Sequence, residues 1–239
     1  MKKPRNPFKN LTKFEWALWI CSLAAVIISF FAVLNTDYWT LATSLIGVTS
    51  LIFAAKGDAF GIMVMLAFCL IYAFVSYMFG YYGEMIIYLC MHLPTSIATL
   101  VSWLKHPSEK GSAEVKVGKL TPKYGVIMAI STVAVTVAFY FILKALNTEN
   151  LIVSTISVGT SYAALYLMVF RVPAFSAAFM LNDIVLIVLW SFACAESLNY
   201  LPMVVCFAVF LINDLYGFIS WTKRKKRQTQ NERQPTIQQ

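Results

Sequence analysis

The sequence has little charge. Only 13% of its 239 residues are Asp, Glu, Lys or Arg, about half the share in a soluble globular domain. Acidic residues are the scarcest, 11 against 19 Lys and Arg, and there are two histidines, His92 and His106. Ten glycines and eight prolines are too few for a collagen-like or low-complexity chain. The sequence lacks a Gly-rich phosphate loop, a His-Glu-x-x-His motif and a Gly-x-Ser-x-Gly motif, which argues against an ATPase, a zinc protease or a serine hydrolase. The five cysteines, Cys21, Cys69, Cys90, Cys194 and Cys206, sit inside apolar runs with no metal-ligand spacing. They read as small packing residues, so no disulfide, metal site or cofactor is expected.

What the sequence does have is apolar surface. Hydrophobic residues make up 59% of it and the mean hydropathy is +0.71, which excludes a disordered chain and an ordinary water-soluble fold. The apolar runs are continuous and about 20 residues long, the length of a membrane-spanning helix and about twice that of an alternating β-barrel strand. The fold class expected is therefore all-α, polytopic and embedded in a lipid bilayer. Eight spans are expected: Trp16–Leu34, Trp39–Ala55, Phe60–Phe79, Glu84–Leu104, Tyr124–Leu146, Leu151–Phe170, Ala174–Ala195 and Leu201–Trp221. The first is too long for a signal h-region and lacks a small-residue cleavage site, so it is read as a helix.

The basic residues assign an orientation. With the N-terminus cytoplasmic, 18 of the 19 Lys and Arg fall inside, leaving only Lys144 near the outer face. They are Lys2, Lys3, Arg5, Lys9 and Lys13, then Lys56 and Arg171. The long linker adds Lys105, Lys110, Lys116, Lys119 and Lys123, and the tail adds Lys223 to Arg227 and Arg233. Outer loops carry Asp37, Glu84, Glu149 and Glu196. The net charge of +8 is thus a topology signal and not a nucleic-acid surface. The tail, polar and rich in Gln, Lys and Arg, is expected to be disordered.

Two stretches resemble each other. The fourth and eighth spans both close Ser-Trp, at Ser102-Trp103 and Ser220-Trp221, with a basic residue within two positions. Lys56-Gly57-Asp58-Ala59-Phe60 and Arg171-Val172-Pro173-Ala174-Phe175 are both short basic turns ending Ala-Phe, and Gly47 and Gly159 occupy similar places. Spans 2–4 therefore match spans 6–8 in the same orientation, as in a parallel-repeat transporter with its solute near the midplane. The divisions expected are 1–34 (cytoplasmic N-terminus and extra helix), 39–104 (first three-helix repeat), 105–123 (basic cytoplasmic loop), 124–146 (linker helix), 151–221 (second repeat) and 222–239 (cytoplasmic tail).

Polar side chains inside the spans are costly, and so mark candidate function or interhelical glue. His92, Ser96, Thr99 and Trp103 form a stripe at i, i+4, i+7 and i+11, beside Pro94, which can bend the helix and free a carbonyl. Asn182 and Asp183 lie at mid-depth, with Trp190 two turns beyond Asp183. Asn213, Tyr216, Gly217 and Ser220 share one face of the last span, with Asp214 on its margin. Aromatic faces carrying amides and hydroxyls suit a small, flat, hydroxylated ligand, more so a cationic one. Trp39 reads as part of an interfacial aromatic belt.

The residues from about Trp39 to Lys223 resemble the Pnu-type vitamin transporter family. The strongest piece is Asn213-Asp214-Leu215-Tyr216-Gly217-Phe218-Ile219-Ser220-Trp221, similar to that family's Asn-x-x-Tyr-Gly-x-x-x-Trp ending. Asn182 through Trp190, Phe60-Gly61, Tyr82-Gly83-Glu84-Met85 and Trp103 also resemble it. The resemblance implies a 3+1+3 helix duplication related to the SWEET transporters, preceded by one extra helix. It implies uptake of nicotinamide riboside by facilitated diffusion, trapping by a cytosolic kinase, a bacterial cell-membrane location and homotrimers. It places Asn213, Tyr216 and Gly217 at or beside the ligand, Asn182 and Trp190 on the preceding polar-aromatic face, and His92 where relatives often carry Gln. The chain departs from the family at Phe175, Ala178 and Phe179, where members often have Trp-x-x-Trp-x-x-x-Asn. It departs again at Thr95 to Thr99, which lacks the Asn-x-x-Tyr-Gly element. These departures leave open thiamine or another vitamin as the cargo, and a proton-coupled carrier using Asp183 and Asp214.

Overall fold

A computed structural model describes residues 6–33, 37–78, 82–109 and 112–233. Eight helices in it are long and apolar enough to cross a membrane. They are α1 (Lys13–Ala32), α2 (Tyr38–Ala55), α3 (Ala59–Met78), α4 (Tyr82–Lys105), α5 (Pro122–Ala145), α6 (Leu151–Val169), α7 (Ala174–Glu196) and α8 (Leu201–Arg233). The expected span ends at Leu34 and Phe79, the basic residues Lys2, Lys3, Arg5 and Lys110, and the chain past Arg233 lie outside the described residues. Cys69 and Cys206 are buried as expected of packing residues, whereas Cys21 and Cys90 lie on the exposed surface.

Local sequence explains how the helices begin and bend. Thr12 and Glu15 cap α1 reciprocally: the Glu15 N–H donates to the Thr12 hydroxyl at 3.2 Å and the Thr12 N–H to the Glu15 carboxylate at 2.6 Å. In α4, residues Tyr88–His92 form a π-helical turn immediately before Leu93. Pro94 explains it. Proline lacks an N–H, and its ring crowds the carbonyl four residues back, here Cys90. Widening the turn relieves that crowding, and the Leu93 N–H reaches the Tyr88 carbonyl instead.

Helix α8 corrects an expectation. It runs on to Arg233 through the stretch expected to be disordered. The extension is held by the loop between α4 and α5. Glu114 takes hydrogen bonds from Arg227 and Gln228, and Lys116 pairs with Glu232 at 2.8 Å. The Val117 N–H donates to the Gln228 side chain at 2.8 Å.

The sets α2–α4 and α6–α8 meet through matched contacts. The turns after α2 and α6 carry the same three backbone bonds. Gly57 N–H to Ala54, Asp58 to Phe53 and Gly61 to Asp58 are mirrored by Arg171 to Met168, Val172 to Leu167 and Phe175 to Val172. Gly57 and Arg171 both adopt positive φ, 69° and 58°. Glycine does so freely; an arginine does so only when held, and Arg171 bonds the Ser102 hydroxyl and the Lys116 carbonyl. At the ends of α4 and α8 the two buried indoles cross. The Trp103 N–H donates to Met168 O at 3.1 Å and the Trp221 N–H to Ala54 O at 3.0 Å, with ring centroids 5.3 Å apart. Phe175 packs against both rings.

Val115 and Gly118, in the loop between α4 and α5, tie down both turns. Val115 N–H bonds Gly57 O and Gly118 N–H bonds Arg171 O, both at 3.0 Å, and the Val115 side chain is buried with Trp103 and Trp221. Lys56, Arg171 and Arg224 therefore gather at one end of the bundle, and Glu84, Glu149 and Glu196 border one cavity at the other.

Two outcomes test this packing. Trp221→Phe keeps a ring but removes the indole bond, leaving the Ala54 carbonyl with the Gly57 N–H, and is expected to cost about 0.5–1.5 kcal/mol, read as a lower melting temperature in detergent. Burial opposes charge on Glu114, but the bonds from Arg227 and Gln228 and the Arg224 charge outweigh it and hold the carboxyl below its ordinary value. A carboxyl so lowered adds stability above the ordinary carboxylate range, lost as pH falls through its folded value. Amide exchange at Val115 and Val117 should stay slow from neutral pH down to that range and quicken below it. Glu114→Gln should remove the transition.

Candidate functional site

A cavity lies on the bundle side of the crossed tryptophans, with about 70 Å³ open to water, enough for several molecules. Its polar lining is His92, Ser96 and Thr99 from α4, Asn182 and Asp183 from α7, and Asp214 from α8. Six of the ten site residues expected from sequence thus meet around one space. The π turn shapes its wall. It brings Tyr88 and His92 onto one side, stacked at 4.5 Å and 18°, and Tyr72 packs on Tyr88 at 4.4 Å.

The polar groups are partly committed. The Thr99 hydroxyl donates to Thr95 O at 2.8 Å. The Asn182 carbonyl accepts from the Thr160 hydroxyl at 2.8 Å, which fixes the amide and turns its NH₂ donors away from Thr160. Asp183 and Asp214 are both buried and line the cavity side by side. Among the described residues, Asp183 Oδ2 has no hydrogen-bond partner.

The other four expected residues lie elsewhere. The Asn213 amide donates to Ser22 on α1 at 2.9 Å and to Val209 O at 2.8 Å. The Tyr216 hydroxyl donates to Glu15 at 2.8 Å, and Glu15 is ion-paired with Lys56 at 2.7 Å. Gly217 is a packing position, where a Cβ would come within 3.0 Å of the Ser176 hydroxyl on α7. These three dock α8 against α1 and α7. Trp190 stands at the far end of α7, stacked near Tyr200 at 5.8 Å, in a second cavity of about 460 Å³ with Glu84, Glu149 and Glu196.

Several cavity residues were not legible as site residues. Tyr88 carried a usable signal, one turn before His92. Phe68, Phe207 and Phe210 carried none among 18 phenylalanines. Phe175 and Phe179, noted in sequence only as departures, both line the cavity, so an aromatic wall persists without an indole N–H.

Spanning helices around an enclosed pocket with an aromatic wall and amide, hydroxyl and carboxyl groups define a membrane carrier for a small solute. The chain belongs to the nicotinamide mononucleotide transporter family, which it matches over residues 37–223. It is 29% identical to a nicotinamide riboside transporter PnuC of Neisseria mucosa over 230 residues, covering 93% of this chain and 86% of that one. It is 25% identical to the PnuC of Haemophilus influenzae over 193 residues, covering 80% and 82%. A crystal structure of a vitamin B3 transporter PnuC superposes with a TM-score of 0.75 at 27% identity, covering 92% of this chain and 94% of that one.

Thr160→Val should leave the Asn182 carbonyl unpaired and lower stability by about 1–3 kcal/mol, read by thermal unfolding. Pairing it with Asn182→Leu should recover most of the loss, since removing both polar partners is nearly neutral. Equal melting of Thr160→Val and the unmodified protein would show that the bond is not made.

Proposed function

We propose that this protein takes up nicotinamide riboside by facilitated diffusion, with a cytosolic kinase trapping it by phosphorylation. The single observation that carries the reading is the cavity: a flat aromatic wall faces the amide of Asn182, the hydroxyls of Ser96 and Thr99 and the Asp183–Asp214 pair. A pyridinium ring stacks on such a wall. Ribose hydroxyls and a carboxamide both donate and accept, as the amide and hydroxyl side chains require. The names of the two curated relatives support the cargo.

The same reading places the protein in a bacterial plasma membrane with both termini cytoplasmic, because Lys56, Arg171 and the basic extension of α8 share one end. It treats α2–α4 and α6–α8 as a parallel 3+1+3 repeat joined by α5, with α1 added, in the manner of SWEET transporters. The matched turns and the crossed tryptophans support that plan. Trp103, Trp221 and Phe175 seal the cytoplasmic end in this conformation, so release requires them to part. Asn213, Tyr216 and Gly217 serve α8 packing, and Trp190 serves the outer vestibule. A homotrimer, implied by the family, belongs to this reading and is counted by light scattering.

Calorimetry of the purified protein with nicotinamide riboside and with thiamine tests the cargo. Binding of the riboside alone is expected, and Asn182→Ala should weaken it about tenfold or more, 1.4 kcal/mol. Binding of thiamine alone would move the cargo and leave the carrier. Uptake into vesicles should be unchanged when the proton gradient is collapsed; uptake that follows the gradient would favour proton coupling through Asp183 and Asp214.

A further inference from the structure

Asp183 and Asp214 face each other across the α7–α8 contact inside the cavity, 3% and 6% exposed. Among the described residues, Asp183 Oδ2 is buried without a hydrogen-bond partner and no Lys or Arg lines this space. The titratable groups around the pair are His92 and Tyr88 from α4 and Cys206 from α8. Two adjoining buried carboxylates repel too strongly to ionise together, so the pair holds at least one proton. With no protein cation beside it, the pair takes a single negative charge only when a cationic solute is there to balance it. A lone buried charge is expensive, and one matched by an opposite charge much less so.

We infer that the Asp183–Asp214 pair is the solute-selecting countercharge of the carrier: it demands a permanently cationic ring and rejects the neutral ring of the same shape. The inference rests on the nicotinamide riboside reading and sharpens it. The pyridinium of nicotinamide riboside carries a fixed positive charge, and its 1,4-dihydro form is neutral with the same ribose and carboxamide. A bound cation balances the single negative charge that the pair can then carry, and the other proton stays on the pair.

The proton that stays on the pair makes the outcome specific. In Asp183→Asn or Asp214→Asn, the new amide donates to the remaining carboxylate as the protonated partner did, and the single charge survives. Each single variant should therefore keep the preference for the cation, while Asp183→Asn with Asp214→Asn should lose it. The test is calorimetric binding of both riboside forms to purified full-length protein in detergent, with monodispersity and melting temperature checked for each variant. The unmodified protein should bind the oxidised form on the order of a hundredfold more tightly than the dihydro form. Equal binding of the two forms, or a preference that survives in the double variant, overturns the inference and leaves the cargo reading intact. If neither riboside form binds, thiamine, also a permanent cation, becomes the probe. Thiamine binding lost in the double variant sinks the cargo reading and upholds the inference, whereas no binding of either cation sinks both. Infrared spectroscopy with a bound cation supplies a second reading: the part of the protonated-carboxyl stretch that comes from the pair should be present in the unmodified protein and lost in both single variants.

Discussion

Trp103 and Trp221 each end a helix, and each sends its indole N–H across to a carbonyl at the end of a helix in the other three-helix set. Each of these carbonyls also accepts a turn N–H, so the indole supplies its second bond, and the crossed pair sets how closely the two sets can approach. Much else follows from it. The rings, with Phe175 beneath them, close one end of the bundle. The spacing they impose turns Ser96 and Thr99 on α4 and Asp214 on α8 towards a common space. The strap at Val115 packs onto the same rings and bonds both turns, so the loop and the extension of α8 are built around that junction.

The added helix α1 alters what the last helix can do. A helical wheel groups Asn213, Tyr216, Gly217 and Ser220 on one face of α8, and polar faces in membrane helices serve either ligand or neighbour. Here Ser22 and Glu15 of α1 take up Asn213 and Tyr216. Glu15 thereby has three duties: it caps its own helix, pairs with Lys56 and receives the Tyr216 hydroxyl. With that face occupied, Asp214 on the margin lines the cavity from α8, beside Phe207 and Phe210.

The cavity combines a local defect with two buried carboxyls. Pro94 forces a π turn, and within it His92 stacks on Tyr88. Opposite, α7 contributes an amide anchored by Thr160 and the buried carboxyl of Asp183, with Asp214 from α8 lining the same space. Phe175 and Phe179 add aromatic surface to the same cavity.

Composition, run length and the distribution of Lys and Arg were sufficient for the helical class, the eight spans and the matching turns. These depend on period and polarity along one chain, and lipid leaves few alternatives. The stripe His92, Ser96, Thr99 was legible for the same reason, because residues one turn apart share a face. What lay opposite each face was not legible. Wheel geometry for α8 could not say that α1 would claim Asn213 and Tyr216. Spacing along α7 could not say that Trp190 would belong to a different cavity from Asp183. The polar tail read as disordered because its helix is stabilised by Glu114 and Lys116, more than 100 residues away in sequence. Sequence determined which side chains are paired along a helix; the tertiary structure decided which helix each one faces, because interhelical contacts are set by packing and not by period.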